Sequence, residues 1–187
     1  MVKKNACVFI SGYGSNLKSL ILNSRNHTFP INIKLVVCNN KKAKGILLAK
    51  KNSVPCLIID TKKRNFENII LLEIKKKNIS LICLAGYMKI ISKKFIRNFG
   101  KKIINIHPSL LPKFKGLDTY KRILNENEKK TGCSVHHVDE KLDSGKIIHR
   151  KIFFIKKNDD IVSLKKKTQK LEHMAFSEAV IKLYRYC

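Results

Sequence analysis

Tryptophan is absent from this chain of 187 residues, and it carries only four prolines and 13 acidic residues. No stretch concentrates Pro or Gly, so no linker divides the sequence, and a single domain is expected over residues 1–187. Long hydrophobic runs are missing too: none approaches the ~20 residues that a membrane span needs. The opening M-V-K-K-N-A-C-V-F-I-S-G turns polar too soon for the core of a secretory signal. These absences predict a cytoplasmic protein without a membrane partner. The six cysteines, Cys7, Cys38, Cys56, Cys83, Cys133 and Cys187, form no C-x-x-C. That spacing argues against both a zinc site and a disulfide framework. With no H-E-x-x-H, no Ser-centred elbow and no clustered ligands, no metal is expected.

The shortage of acids leaves a formal charge of +27, from 40 Lys and Arg of which only six are Arg. Lys, Ile and Asn supply 75 of the 187 residues, the signature of codons drifted toward A and T. Nucleic-acid surfaces cluster Arg with aromatics. Here the lysines are spread in short runs, so no specific nucleic-acid partner is expected, although the field favours anionic small substrates. The 44% apolar content is enough for a sizeable core and excludes wholesale disorder.

Short β-rich runs at 6–10, 31–38, 56–59, 81–85 and 103–106 alternate with segments of helical periodicity such as Leu17, Leu20, Ile21 and Phe66, Ile69, Ile70, Ile74. Runs apolar on both faces, alternating with helices, predict a parallel sheet covered on both sides. Residues 133–138 and 147–155 read as two further strands with no helix between them. The fold class is therefore an open, mostly parallel, Rossmann-like α/β sheet with helices on both faces and an antiparallel or mixed C-terminal edge. A last helix is predicted from about residue 161 to the C-terminus, burying Leu164, Leu171, Met174, Ala175, Ala179 and Leu183. In such sheets ligands bind beyond the carboxyl ends of the strands.

Three segments carry chemistry. Ser11-Gly12-Tyr13-Gly14-Ser15-Asn16-Leu17 joins the first strand to a helix, as a phosphate cradle does, or as a tight turn capped by Ser15 or Asn16 does. It matches neither the dinucleotide fingerprint nor a P-loop. In Asn105-Ile106-His107-Pro108, two polar side chains separated by one residue at a strand end project to the same side. Asp139-Glu140-Lys141-Leu142-Asp143-Ser144-Gly145 is an acidic turn between the last two strands. His136 and His137 fall on opposite faces of one strand and read as structural.

Taken together, S-G-x-G-S-N-L, N-x-H-P-S-L-L-P and L-D-S-G resemble the folate-dependent formyltransferases, and the G-S-N loop is similar to that of the branch acting on glycinamide ribonucleotide. L-A-G-Y-M-K-I-I-S (84–92), G-C-S-V-H (132–136) and residues 168–173 extend the resemblance over nearly the whole chain. It implies the formyltransferase fold and an enzyme of purine biosynthesis. The implied reaction moves the formyl group of 10-formyltetrahydrofolate to the amine of glycinamide ribonucleotide. It further implies Asn105, His107 and Asp143 as the catalytic set, with Asp143 raising the His107 pKa. Gly14, Ser15 and Asn16 would hold the substrate phosphate, and Gln169, Lys170, Leu171 and Glu172 would contact the substrate. Arg64, Met88, Lys89, Ile90, Ile91, Asn105 and the stretch Asp139, Glu140, Lys141, Leu142 and Asp143 would bind folate. The Leu111–Pro112 bond would be cis, and the oligomer a monomer or weak homodimer.

Tyr13, Lys89, Lys115 and Asp118 depart from the family pattern. Rivals are methionyl-tRNA formyltransferase, which carries a further C-terminal domain, and formyltetrahydrofolate deformylase, which uses water and carries an extra N-terminal domain. A non-catalytic basic module that binds nucleotides or nucleic acid is a rival of a different class.

Overall fold

The computed structural model describes residues 2–184. Met1 and Cys187 therefore lie outside the described residues, as does the end of the predicted last helix. Seven strands form one sheet in the order β3-β2-β1-β4-β5-β6-β7. The chain divides into two compact units, Met1–Ile104 and Asn105–Cys187.

In the first unit, β1 (Lys4–Ile10) pairs in parallel with β2 (Ile31–Cys38) and with β4 (Leu81–Leu84), and β2 pairs in parallel with β3 (Cys56–Ile58). Ala6 to Ile10 are at most 1% exposed, which explains why this strand is apolar at every position rather than alternating. Helices α1 (Ser15–Ser24), α2 (Lys44–Lys51) and α3 (Phe66–Lys76) connect the four strands in turn, and α4 (Lys93–Phe99) follows β4. Right-handed crossovers that lead outward to β3 and then back across β1 put α1 and α2 on one face and α3 on the other. The order reverses between β1 and β4, so a crevice opens at their carboxyl ends. Phe9 is buried against Tyr87 and Phe95, with ring centroids 5.2 and 6.2 Å away in edge-to-face geometry. Each such buried ring contributes roughly 1.5–3 kcal/mol.

In the second unit, β6 (Lys130–His137) pairs antiparallel with β7 (Ile147–Phe154), the expected edge. Burial alternates along β7, with Ile152 and Phe154 exposed, as suits a strand covered on one face. The helices are α5 (Thr119–Asn125) and α6 (Ile161–Tyr184). Helix α6 opens with a reciprocal cap: Asp160 Oδ1 accepts Ser163 N at 2.7 Å, and Ser163 Oγ accepts Asp160 N at 3.0 Å. Its buried stripe includes Leu164, Thr168, Ala175, Phe176, Ala179 and Val180. Met174, expected inside, is 46% exposed because the stripe passes through the neighbouring Ala175 and Phe176 instead. A small core of Phe114, Ile123 and Leu164 joins α5, α6 and the loop after β5. Strand β5 (Lys102–His107) carries the chain into this unit. No described helix is long and apolar enough to cross a membrane.

Candidate active site

Two groups of candidate residues take shape, one in each unit. In the first unit, the loop after β1 is built by close backbone packing. Gly14 has φ 77° and is the N-cap of α1. A Cβ on Gly45 would lie 2.5 Å from Ile10 Cδ1 and 3.1 Å from Gly12 O, so α2 docks closely there, with Gly45 N donating to Gly12 O at 3.0 Å. No acidic residue stands in the first turn of α1, so its positive dipole end faces no competing carboxylate of its own. Ser15 is half-buried and Asn16 buried, whereas Tyr13 is exposed with Lys44 Nζ 5.1 Å above its ring.

Ser11 links this loop to the predicted folate wall. Its Oγ donates to Asn39 Oδ1 at 2.6 Å and accepts Met88 N at 2.8 Å. Met88, Lys89 and Ile90 are exposed, and Ile90 and Ile91 line a shallow surface depression with Phe9, Phe66, Tyr87 and Phe95. The segment is fixed at its far end by Ser92, the N-cap of α4, whose N donates to Glu67 Oε1 at 2.9 Å and whose Oγ donates to Glu67 Oε2. Arg64 sits exposed in the turn before α3.

In the second unit, Asn105, His107 and Asp143 come together. His107 and Asp143 are buried, and His107 Nδ1 lies 3.3 Å from Asp143 Oδ2. His107 Nε2 lies 2.7 Å from Phe114 O, so both ring nitrogens face acceptors. Asp143 is turned inward by a left-handed backbone, φ 47°, and Gly116 N donates to its Oδ2 at 2.9 Å. The turn closes onto β6 at Gly145, where a Cβ would meet His137 O at 1.8 Å. Asn105 Nδ2 donates toward Asp143 Oδ1 at 3.5 Å. The preceding loop is braced by Ser134, whose Oγ donates to Ser109 O at 2.7 Å and accepts Leu111 N at 3.0 Å, and the Leu111–Pro112 bond is cis as expected.

His136, read as structural from the sequence, belongs to this cluster. It is 2% exposed, and its Nε2 lies 3.2 Å from Asn105 Nδ2 and 3.5 Å from Asp143 Oδ1. Its Nδ1 faces His137 O at 2.8 Å, which keeps a proton there and leaves Nε2 to accept from Asn105 when the ring is neutral. The signal was strand alternation: it separates His136 from His137 and sends one of the two inward.

Asp143 pulls the His107 pKa up as expected, but it is outweighed. Burial lowers the His107 pKa, and the opposing pull of the Phe114 carbonyl and the Asp143 carboxylate does not overcome it. The net displacement is therefore downward, not upward. Burial pushes Asp143 up, but the His136 bond, the Gly116 N–H and the nearby His107 charge outweigh it and hold its carboxyl below the usual range.

Other predicted residues are less enclosed. Asp139, Glu140, Lys141 and Leu142 are exposed, unlike the adjoining Asp143. Gln169 and Lys170 are exposed on one turn of α6, and Leu171 and Glu172 are half-buried. Among the described residues no cluster has the makeup of a metal site.

A mostly parallel sheet with an Asn-His-Asp cluster at the end of a strand defines a class, and the sequence profile agrees. The chain belongs to the formyl transferase family, whose profile matches residues 4–180. It is 34% identical over 184 residues to the phosphoribosylglycinamide formyltransferase of Bacillus subtilis, covering 96% of this chain and 94% of that protein. The crystal structure of the phosphoribosylglycinamide formyltransferase from Campylobacter jejuni superposes with a TM-score of 0.90 at 38% identity, covering 98% of both chains. The trifunctional purine biosynthetic protein adenosine-3 of Gallus gallus is 37% identical over 182 residues, of which this chain spans 95% of its own length but 18% of that larger protein.

Proposed function

We propose that residues 1–187 act as one catalytic domain that transfers the formyl group of 10-formyltetrahydrofolate to the amine of 5′-phosphoribosylglycinamide, giving the formylated nucleotide and tetrahydrofolate. The observation that carries this reading is the contact of half-buried Asn105 and buried His107 with buried Asp143, in a chain similar over nearly its whole length to enzymes named for that reaction.

The amine, as free base, attacks the formyl carbon, the C–N10 bond breaks, and one amine proton ends on N10 of the folate. Negative charge develops on the formyl oxygen during attack. Asn105 Nδ2 can hand that oxygen one of its two hydrogens in exchange for a present partner. His107, neutral when buried and empty of substrate, has one ring nitrogen without a proton facing an acceptor. A proton relayed from the amine through Asp143 satisfies both nitrogens, and the resulting imidazolium opposes the developing oxyanion.

Gly14, Ser15 and Asn16 take the substrate phosphate at the α1 N-terminus, and Gln169 to Glu172 take the ribose side, with Glu172 its hydroxyl partner. Arg64, Met88 to Ile91, Asn105 and Asp139 to Asp143 hold the folate. The reading includes a cytoplasmic location, small-molecule partners without specific nucleic acid, and a monomer or weak homodimer.

An isotope-labelled formyl group tests it directly. Purified protein would be offered glycinamide ribonucleotide, water alone or initiator Met-tRNA as acceptor. Label in formylglycinamide ribonucleotide is expected. Label released as formate without an amine acceptor, or found on tRNA, would move the assignment to one of the rival enzymes.

A further inference from the structure

A three-residue turn, Phe114-Lys115-Gly116, touches the site at every position. Phe114 O faces His107 Nε2 at 2.7 Å, and Gly116 N donates to Asp143 Oδ2 at 2.9 Å. Lys115 Nζ donates to Ser144 Oγ, beside Asp143, at 2.7 Å. Phe114 adopts φ 57°, a left-handed conformation that a bulky aromatic residue takes only under outside constraint.

That constraint comes from α5. Arg122 Nη1 donates to Lys115 O at 2.7 Å, and the same guanidinium lies 5.5 Å over the buried Phe114 ring. A planar fork can bond with one edge while its flat face stacks on an aromatic ring, a stacking geometry that an ammonium lacks.

We propose that Arg122 is a positioning residue for the transfer, clamping the 114–116 turn so that its Phe114 carbonyl and Gly116 amide hold His107 and Asp143 face to face. The inference rests on the formyl-transfer reading of the same site. Three charged or titratable groups act on His107: Asp143 from the turn before β7, His136 from β6 and Arg122 from α5. Asp143 favours the imidazolium, and the other two oppose it along with burial.

Arg122 is exposed, so its variants keep the core intact. The experiment compares wild type, Arg122→Lys and Arg122→Met in steady-state transfer across pH. In parallel, nitrogen NMR follows the His107 ring in the substrate-free proteins. Loss of the fork lowers kcat about 10–100-fold in both variants with KM nearly unchanged. Loss of the charge moves the His107 titration upward in Arg122→Met but not in Arg122→Lys. Unchanged kcat and unchanged His107 titration in Arg122→Met, with only a lower unfolding temperature, would overturn the proposal. A wild-type protein that forms no formylated nucleotide would instead sink the functional reading, and a His107 Nε2 resonance unchanged in Arg122→Lys would still overturn the clamp, since release of the turn takes the Phe114 carbonyl from that nitrogen.

Discussion

Replacing Asp143 with Asn isolates one charge inside an otherwise preserved site. The amide fills the same buried volume, and its oxygen can still accept the Gly116 N–H now held at 2.9 Å. Its NH₂ can face His136 Nε2, now 3.5 Å from the carboxylate. The variant loses the negative charge 3.3 Å from His107 Nδ1, and with it the Oδ1 acceptor that Asn105 Nδ2 faces at 3.5 Å. At that separation and an effective dielectric of about 20, a unit pair is worth about 5 kcal/mol. If half of that attraction acts on the imidazolium of the transition state, turnover falls about 10²-fold. Binding of glycinamide ribonucleotide is expected to change little, since the proposed phosphate contacts are those of Gly14, Ser15 and Asn16. The assay is steady-state formyl transfer at saturating substrates across the neutral pH range, with a chemical unfolding curve to confirm the fold. Turnover by Asp143→Asn within about threefold of wild type would refute the role of the charge.

Three other expectations follow from the same geometry. Replacing His136 with Leu removes the acceptor 3.2 Å from Asn105 Nδ2, so the amide loses its fixed orientation and kcat falls while phosphate binding measured by calorimetry stays the same. Gly145→Ala drives a Cβ against His137 O and costs about 1–3 kcal/mol in a urea unfolding curve, with activity lost in parallel as Asp143 moves. Acid also destabilises the fold in two stages. His107 titrates below its ordinary value in the folded chain, so the stability it contributes is present above about pH 6.5 and is lost as pH falls through its folded pKa. Asp143, also lowered, adds stability that is present above about pH 4 and disappears further into acid. The unfolding midpoint is expected to drop between pH 7 and 5, and His107→Asn should shrink that drop.

The strands were the most legible part of the fold, because runs such as Val8-Phe9-Ile10 and Leu35-Val36-Val37 are apolar at every position and leave no helical alternative. Three helices were harder to see. Helix α2 reads K-G-I-L-L-A-K-K and buries only Gly45 and Ala49, so its inner face carries almost no hydrophobic signal. Helices α4 and α5 span seven residues each, too short for periodicity to show. Strand β6 begins at Lys130, three residues before the apolar run, because an edge-adjacent strand tolerates Lys and Thr at its start.

At the site, Asn105 and His107 stood out by their strand-end spacing, and Asp143 through the family resemblance alone. Their electrostatic balance was not legible, because it depends on how deeply His107 is buried and on a carbonyl seven residues away. His136 was hidden because a histidine inside an apolar strand looks alike whether it fills a core or faces a carboxylate. The clamp from Arg122 was also illegible: nothing in Phe114-Lys115-Gly116 announces a left-handed phenylalanine.

Single-turnover transfer from labelled 10-formyltetrahydrofolate to glycinamide ribonucleotide, by the wild-type chain and by His107→Ala, tests the central claim most directly. Product that depends on the nucleotide, and forms at least about 10²-fold more slowly in the variant, is the expected result. Folded wild-type protein that forms no product, or a variant as fast as wild type, would contradict the account.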